Sequence, residues 1–297
     1  MFAAGCDQPQ VITVTVKPAD DKAAEAAPAE ASAASSAAGG YGNLIGTVKF
    51  DGAAPDLAAL VRKGDTTKKD AAVCAVEGVA DESLLVNAET KGIANVVVYL
   101  EKRPKDIKPD LAKPPTTPVI FDQKGCRFFP HMLTVQIGQP LLVKSNDPIA
   151  HNTHTYPARN EGFNQVIKPG DRNGVPCTYT RAENTPIEVK CDLHTWMRAY
   201  HFPIDHPYVA ITDAEGKFRI EGIPAGKQTF KVWHEKGQLL ERKLDVTIEA
   251  DKDASHDLTY GKDRLAAAPV SGERAVAWSR LQQGGDLNFA QGEDHRP

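Results

Sequence analysis

The chain has 297 residues and a formal net charge of −4, enough for two domains plus tails. It carries no basic run and no interleaving of basic with aromatic residues, which argues against a nucleic-acid partner. No stretch approaches the roughly eighteen consecutive apolar residues of a membrane helix.

Residues 20–40 are almost wholly Ala, Glu, Ser, Pro and Gly, too little apolar surface to order themselves. Residues 1–40 are therefore expected to be a disordered tether. Val11 to Val16 alternates Val/Ile with Thr and is a strand candidate without a clear partner. The start, Ala3-Ala4-Gly5-Cys6, resembles a bacterial lipobox. That resemblance implies a lipidated Cys6 and a membrane tether, as in a lipoprotein of the cell envelope.

Asn43 to Phe50 reads as a strand ended by the turn signal Asp51-Gly52. A polar stretch follows, with a short helix expected near 56–62. Leu84 to Val86 and Asn95 to Leu100 read as further strands. Pro104, Pro109, Pro114, Pro115 and Pro118 make 102–118 a linker. Val119 to Phe121, Met132 to Ile137 and Leu141 to Lys144 are strands, with Leu133, Val135 and Ile137 on one face.

Ile187 to Cys191 alternates apolar and polar, so Ile187, Val189 and Cys191 face inward. In Cys191-Asp192-Leu193-His194-Thr195-Trp196-Met197 a thiolate, an imidazole and a thioether follow within seven residues. A strand cannot bring positions i, i+3 and i+6 to one point, so His194 and Met197 belong to a tight loop. Two imidazoles, one thiolate and a weak axial thioether are the donors of a mononuclear copper electron-transfer site. His151, after Asp147-Pro148-Ile149-Ala150, is the candidate for the second imidazole. The competing readings are a disulfide at Cys191 with His194 and Met197 merely packing, or another metal such as zinc.

Cys-x2-His-x2-Met resembles the ligand loop of the cupredoxins, with the short spacing of amicyanin rather than the longer one of plastocyanin. His151-Asn152-x-His154 resembles their remote histidine segment. The resemblance covers about residues 117–205. It implies a Greek-key sandwich holding copper through His151, Cys191, His194 and Met197, and a redox partner protein docking near His194 and Trp196.

Beyond Pro203, Ala210-Ile211-Thr212-Asp213-x-x-Gly216-x-Phe218 reads as a hairpin, Pro224-Ala225-Gly226 as a turn, and Lys243 to Ile248 as a strand with Leu244, Val246 and Ile248 inward. Leu258 and Tyr260 are candidates to close that sheet. These motifs resemble the carboxypeptidase regulatory-like, or transthyretin-like, β-sandwich. That pattern opens with strands like 43–52 and 95–100, far upstream. The expected fold is therefore all-β: residues 41–103 plus 207–260 as one discontinuous sandwich, 117–205 as a cupredoxin module inserted in it or adjacent to it, and 261–297 as a disordered tail. Three consecutive β modules are the alternative.

Of five cysteines, Cys74, Cys126 and Cys177 remain once Cys6 and Cys191 are set aside, which suggests one pair and one free thiol. His154 is expected to point away from the metal and His131 to be a hydrogen-bonded core residue. His201 and His206 flank the module boundary, and His234 and His256 are expected to face solvent. The function expected is a copper protein of the periplasm or cell envelope that transfers single electrons, and not an enzyme. The alternatives are a copper-binding or storage lipoprotein without redox traffic, and a structural β-sandwich that binds partners.

Overall fold

The computed structural model describes residues 39–265. The expectations for Cys6, for a strand at 11–16 and for most of the C-terminal tail lie outside the described residues. The first strand, β1 (Tyr41–Asp51), buries Leu44, Val48 and Phe50 on one face. The helix expected at 56–62 does not form. That segment is too short to be helical on its own, and Val61 instead bridges to Val79 and is fully buried. A four-residue helix, α1 (Ala71–Cys74), forms further on, preceded by Asp70 in a left-handed conformation at φ 52°. The strand expected at 84–86 is reduced to one bridge, Val86 to Ile93. The strand β2 (Val97–Leu100) is buried on both faces.

The proline-rich stretch holds only a turn of 3₁₀ helix, Pro109–Leu111. Nine short strands follow in order: β3 (Val119–Gln123), β4 (Phe128–Phe129), β5 (Met132–Gln136), β6 (Leu141–Val143), β7 (His151–Thr155), β8 (Asn164–Ile167), β9 (Val175–Cys177), β10 (Ile187–Lys190) and β11 (Arg198–Ile204). They make two sheets, β5-β11-β10-β7-β8 and β4-β3-β6-β9. Alternate residues of the two sheets meet in one core that includes Phe121, Phe128, Val135, Val143, Val189 and Ala199. Val61, Cys74, Ala75 and Val79 of the 61–79 segment are buried in that same core.

The last strands are β12 (Val209–Ile211), β13 (Lys217–Pro224), β14 (Gly226–His234), β15 (Gln238–Ile248), β16 (Asp253–Ser255) and β17 (Leu258–Gly261). They reach back to the start of the chain. β1 pairs antiparallel with β13 and parallel with β16 and β17, while β2 lies between β12 and β14. The two sheets enclose a second core of Leu44, Val48, Val98, Phe218, Phe230 and Ile248, among others. Asp213 to Gly216 is a tight turn, closed by Gly216 N–H to Asp213 O at 3.0 Å. It is not a hairpin, because β12 and β13 join different sheets. Every ladder partner of β3 to β11 lies within 119–204.

A third apolar cluster joins the two bodies: Val97, Tyr99 and Trp233 on one side, Met132, Tyr200, Phe202 and Ile204 on the other. The end of β14 departs from the sequence reading. His234, expected at the surface, is buried, 1 % exposed. Register shifts in β14 around Val232 break the in–out alternation, so Val232, Trp233 and His234 are all buried in succession. His256 is half-buried rather than solvent-facing; its backbone N–H bonds Ile45 O beside β1.

Candidate metal centre

The alternation of β10 sends Ile187, Val189 and then Cys191 into the core. The chain turns at once. Cys191 N–H donates to Met197 O at 3.3 Å and Met197 N–H to His194 O at 2.9 Å, which closes the loop. β7 runs beside β10 and brings His151 opposite. Asn152 fastens the two segments: its side-chain amide donates to Asp192 Oδ2 at 2.7 Å and its carbonyl oxygen accepts from Asp192 N–H at 2.6 Å. Its backbone N–H lies 3.5 Å from Cys191 Sγ.

These contacts bring three of the four expected ligands to one point. One donor atom each from His151, Cys191 and His194 lies within 4.8 Å of the others, and all three residues are buried. His151 Nδ1 is 3.0 Å from His194 Nδ1, which is 3.7 Å from Cys191 Sγ. Met197 is buried in the same core cluster as Cys191.

Each imidazole is held from behind by a carboxylate. His151 Nε2 lies 2.9 Å from Asp147 Oδ2, and His194 Nε2 lies 2.8 Å from Asp70 Oδ2. Carboxylates fix the ring proton on Nε2 and leave Nδ1 with its lone pair. Two such lone pairs at 3.0 Å need a cation between them; in the metal-free protein a proton fills that place and is shared with the Cys191 sulfur. Asp147 also accepts the N–H groups of Gly125 and Cys126, at 2.6 and 2.8 Å, from two successive left-handed residues. Burial by itself would raise the Asp147 carboxyl; the His151 hydrogen bond and these two N–H groups outweigh it and hold Asp147 below the usual carboxylate range.

Burial also pushes the Cys191 thiol up. Hydrogen bonds from His151, His194 and the Asn152 backbone reverse that and bring it down to about 6, so the sulfur is a thiolate at neutral pH. His151 moves the other way: burial would lower it, and Asp147 and the Cys191 thiolate raise it above its ordinary value. One thiolate and two imidazole lone pairs, with a thioether in the same loop, fit copper: sulfur donors suit Cu(I) and imidazoles suit Cu(II).

The Asp192 carboxylate does not face the thiolate. It is taken up instead by Asn152, Asn164 and His154. His154 sits on the far face of β7 from His151, stacked on Tyr156 at 4.3 Å. Trp196 packs 5.2 Å from His194, ring to ring, and its Nε1–H donates to Cys126 O. A cleft of about 210 Å³ opens beside the loop, lined by Trp196, Met197, Arg198, His131 and Glu235 among others. His131 is tied there to Glu235 and Glu82 and is a bonded, mostly buried histidine. His201 Nδ1 is hydrogen-bonded with Tyr179 Oη at 2.9 Å.

Three parts of the site were not identified in the sequence. Asp147 carries a signal, being four residues before His151. Asp70 carries none, since it is 124 residues from His194. The third part is the disulfide Cys74–Cys126, which leaves Cys177 and Cys191 as free, buried thiols among the described residues. Cys126 Sγ itself lies within 4.8 Å of donor atoms of Asp147 and His151, so the disulfide borders the centre.

No protein-family model matches the chain, and no curated protein matches it. Among solved structures those similar to it include a purple cupredoxin, amicyanin and a Cu-containing nitrite reductase. A purple cupredoxin from Nitrosopumilus maritimus is 14 % identical, with 28 % of this chain and 97 % of that one covered and a TM-score of 0.24. A point mutant of amicyanin in its reduced state is 17 % identical, with 29 % and 80 % covered and a TM-score of 0.26. The Cu-containing nitrite reductase from Thermus scotoductus SA-01 is 18 % identical, with 34 % and 27 % covered and a TM-score of 0.28. The chain thus spans about a quarter of that enzyme's length.

Proposed function

We propose that this chain is a copper protein that carries single electrons through a mononuclear site of His151, Cys191, His194 and Met197. The observation that supports it is the convergence of His151 Nδ1, His194 Nδ1 and the Cys191 thiolate, with both Nε2 atoms held by carboxylates. A bound copper supplies the one-electron couple. The protein holds the donors in a buried, hydrogen-bonded frame, so little rearrangement accompanies a change of charge. The Cys74–Cys126 disulfide suits an oxidising compartment, which fits a place in the periplasm or cell envelope. The reading is of a carrier rather than an enzyme. In the same reading residues 117–205 are a module inserted into a discontinuous carboxypeptidase regulatory-like sandwich, supported by the pairing of β1 and β2 with strands after residue 208.

The test is the visible spectrum of purified protein with Cu(II). Thiolate-to-copper charge transfer should give an intense blue to purple colour, and Cys191→Ser should abolish it. Colourless binding by the wild type would remove the thiolate from the site and end this reading.

A second reading, copper binding or storage without electron traffic, is favoured by one observation. His194 has no exposed surface, because Asp70 covers its Nε2 edge. A redox partner docking near His194 and Trp196 would meet the 61–79 segment first. Reduction of the Cu(II) protein by a small soluble reductant separates the two: fast, reversible bleaching belongs to a carrier, and metal loss on reduction to a store.

A further inference from the structure

The segment from Val61 to Val79 lies outside the strands that pair within 119–204, yet it closes the metal centre. Val61, Cys74, Ala75 and Val79 sink into the core beneath it. Asp70 stands at the N-terminal end of α1, where a carboxylate ordinarily accepts from the helix's own N–H groups. It makes no such bond; its side chain goes to His194 Nε2, and its backbone has the positive φ of 52° that aims it there. Four residues on, Cys74 is bonded to Cys126. Cys126 donates its N–H to Asp147, the carboxylate behind His151. One covalent bond therefore joins the segment that carries Asp70 to the turn whose N–H groups hold Asp147.

We propose that residues 61–79 are a lock on the metal centre: Asp70 is a positioning residue for His194, and formation of the Cys74–Cys126 bond closes the site, so that metal enters before that bond forms and leaves slowly afterwards. This rests on the copper reading for the identity of the metal only. The closing step is thiol–disulfide exchange with a disulfide oxidant. The Cys74 and Cys126 thiols lose two protons and two electrons and become joined, and the oxidant's disulfide is reduced to two thiols. Both cysteines are buried, at 1 % and 0 % exposure, which shields the finished bond from soluble thiols. The lock is set once, during folding, and is not a reversible switch.

The experiment compares oxidised wild-type protein with the Cys74→Ala/Cys126→Ala double variant, each prepared without metal. The first readout needs no metal: the rate at which iodoacetamide modifies Cys191, located by peptide mapping. Cys177, whose thiol burial pushes up to about 11, is the unreactive internal control. The second readout is the rate of Cu(I) uptake and of its removal by a chelator. Both should be about tenfold or more faster in the double variant, since each tenfold corresponds to a modest gain in local opening. Asp70→Ala, with the disulfide intact, should speed Cu(I) removal by about 10- to 100-fold in a protein that stays folded by circular dichroism. Equal Cys191 reactivity and equal copper exchange in wild type and double variant overturn the lock. If neither protein takes up copper, the copper reading fails, and Cys191 reactivity alone still decides whether the segment closes the site. If the double variant does not fold, Asp70→Ala decides: an unchanged removal rate overturns the proposal.

Discussion

The Cys191 thiol is held down to about 6, whereas a cysteine in an unfolded chain titrates near 8.5. A group whose folded value is depressed adds stability above its unfolded value and loses it as pH falls through the folded one. The metal-free protein should therefore be stabilised by this thiolate above about pH 8.5, and that contribution should fade as pH falls toward about 6. Ultraviolet thiolate absorbance should show one cysteine titrating near pH 6 in wild type and none there in Cys191→Ser. Asp147 offers a second test at this scale. In Asp147→Asn an amide N–H can donate to His151 Nε2 and drive the ring proton onto Nδ1, the atom proposed to bind the metal. Copper affinity should fall by about 10- to 100-fold, measured by chelator competition, with the fold intact by circular dichroism. Met197→Leu should keep a coloured site and shift its potential, as expected of a weak axial donor. Cys191, His194 and Met197 could be proposed as ligands from their spacing because they share one loop. Asp70 could not, because nothing local links it to a histidine more than a hundred residues away.

At the scale of elements, the β character of the chain was legible because the strands alternate. Leu133 and Val135 on β5 and Ile187 and Val189 on β10 fall inside as their period requires. What failed were segments whose structure is set by distant partners. Residues 56–62 looked helical by composition, but Val61 is captured by Val79 and the core. His234 looked exposed because a bulge cannot be seen in a pattern of alternating residues. The turn after β12 shows what a motif glycine does here. Gly216 has φ 76°, and a Cβ on it would run into Val48 O on β1. Gly216→Ala should lose about 1–3 kcal/mol from the left-handed backbone alone, and the clash with β1 adds to it. Urea unfolding should show the loss as a lower midpoint. The disulfide encloses a separation of 52 residues. Removing it should cost about 4 kcal/mol in the chain-entropy description, read the same way.

The whole molecule is joined across its third cluster, where Trp233 and Tyr99 meet Tyr200 and Phe202. Residues 117–205 expressed alone would bare Met132, Tyr200, Phe202 and Ile204 and would lack both Asp70 and Cys74. That fragment should be poorly soluble and should bind copper more weakly than the full chain, measured side by side. Buried histidines set the acid limit. Burial lowers His201 and His234 to about 3 and His206 to about 4. Only the unfolded chain takes up these protons below about 6.5, so each neutral histidine adds stability above that value and loses it toward its folded value, by up to about 1.4 kcal/mol per pH unit. His131, raised by Glu235 and Glu82 despite its burial, works in the opposite direction. The unfolding midpoint should fall steeply between about pH 6 and pH 4, and His201→Phe should flatten that slope.

The pairing of β1 also sets a timetable for synthesis. Asn43 bonds Asp253, 210 residues later, and apart from one bridge between Lys49 and Gly92 the strand partners of β1 among the described residues begin at β13. At about 5–20 residues per second a ribosome takes roughly 10–40 s to make that span. For that interval the first half of β1, with Leu44, has both edges open, a template for pairing with another chain. Strands β3 to β11 need no partner outside 119–204 and are complete much sooner. The nascent chain thus carries the paired strands of 119–204 behind a largely unpaired first strand, and it is this strand that a chaperone would have to shield.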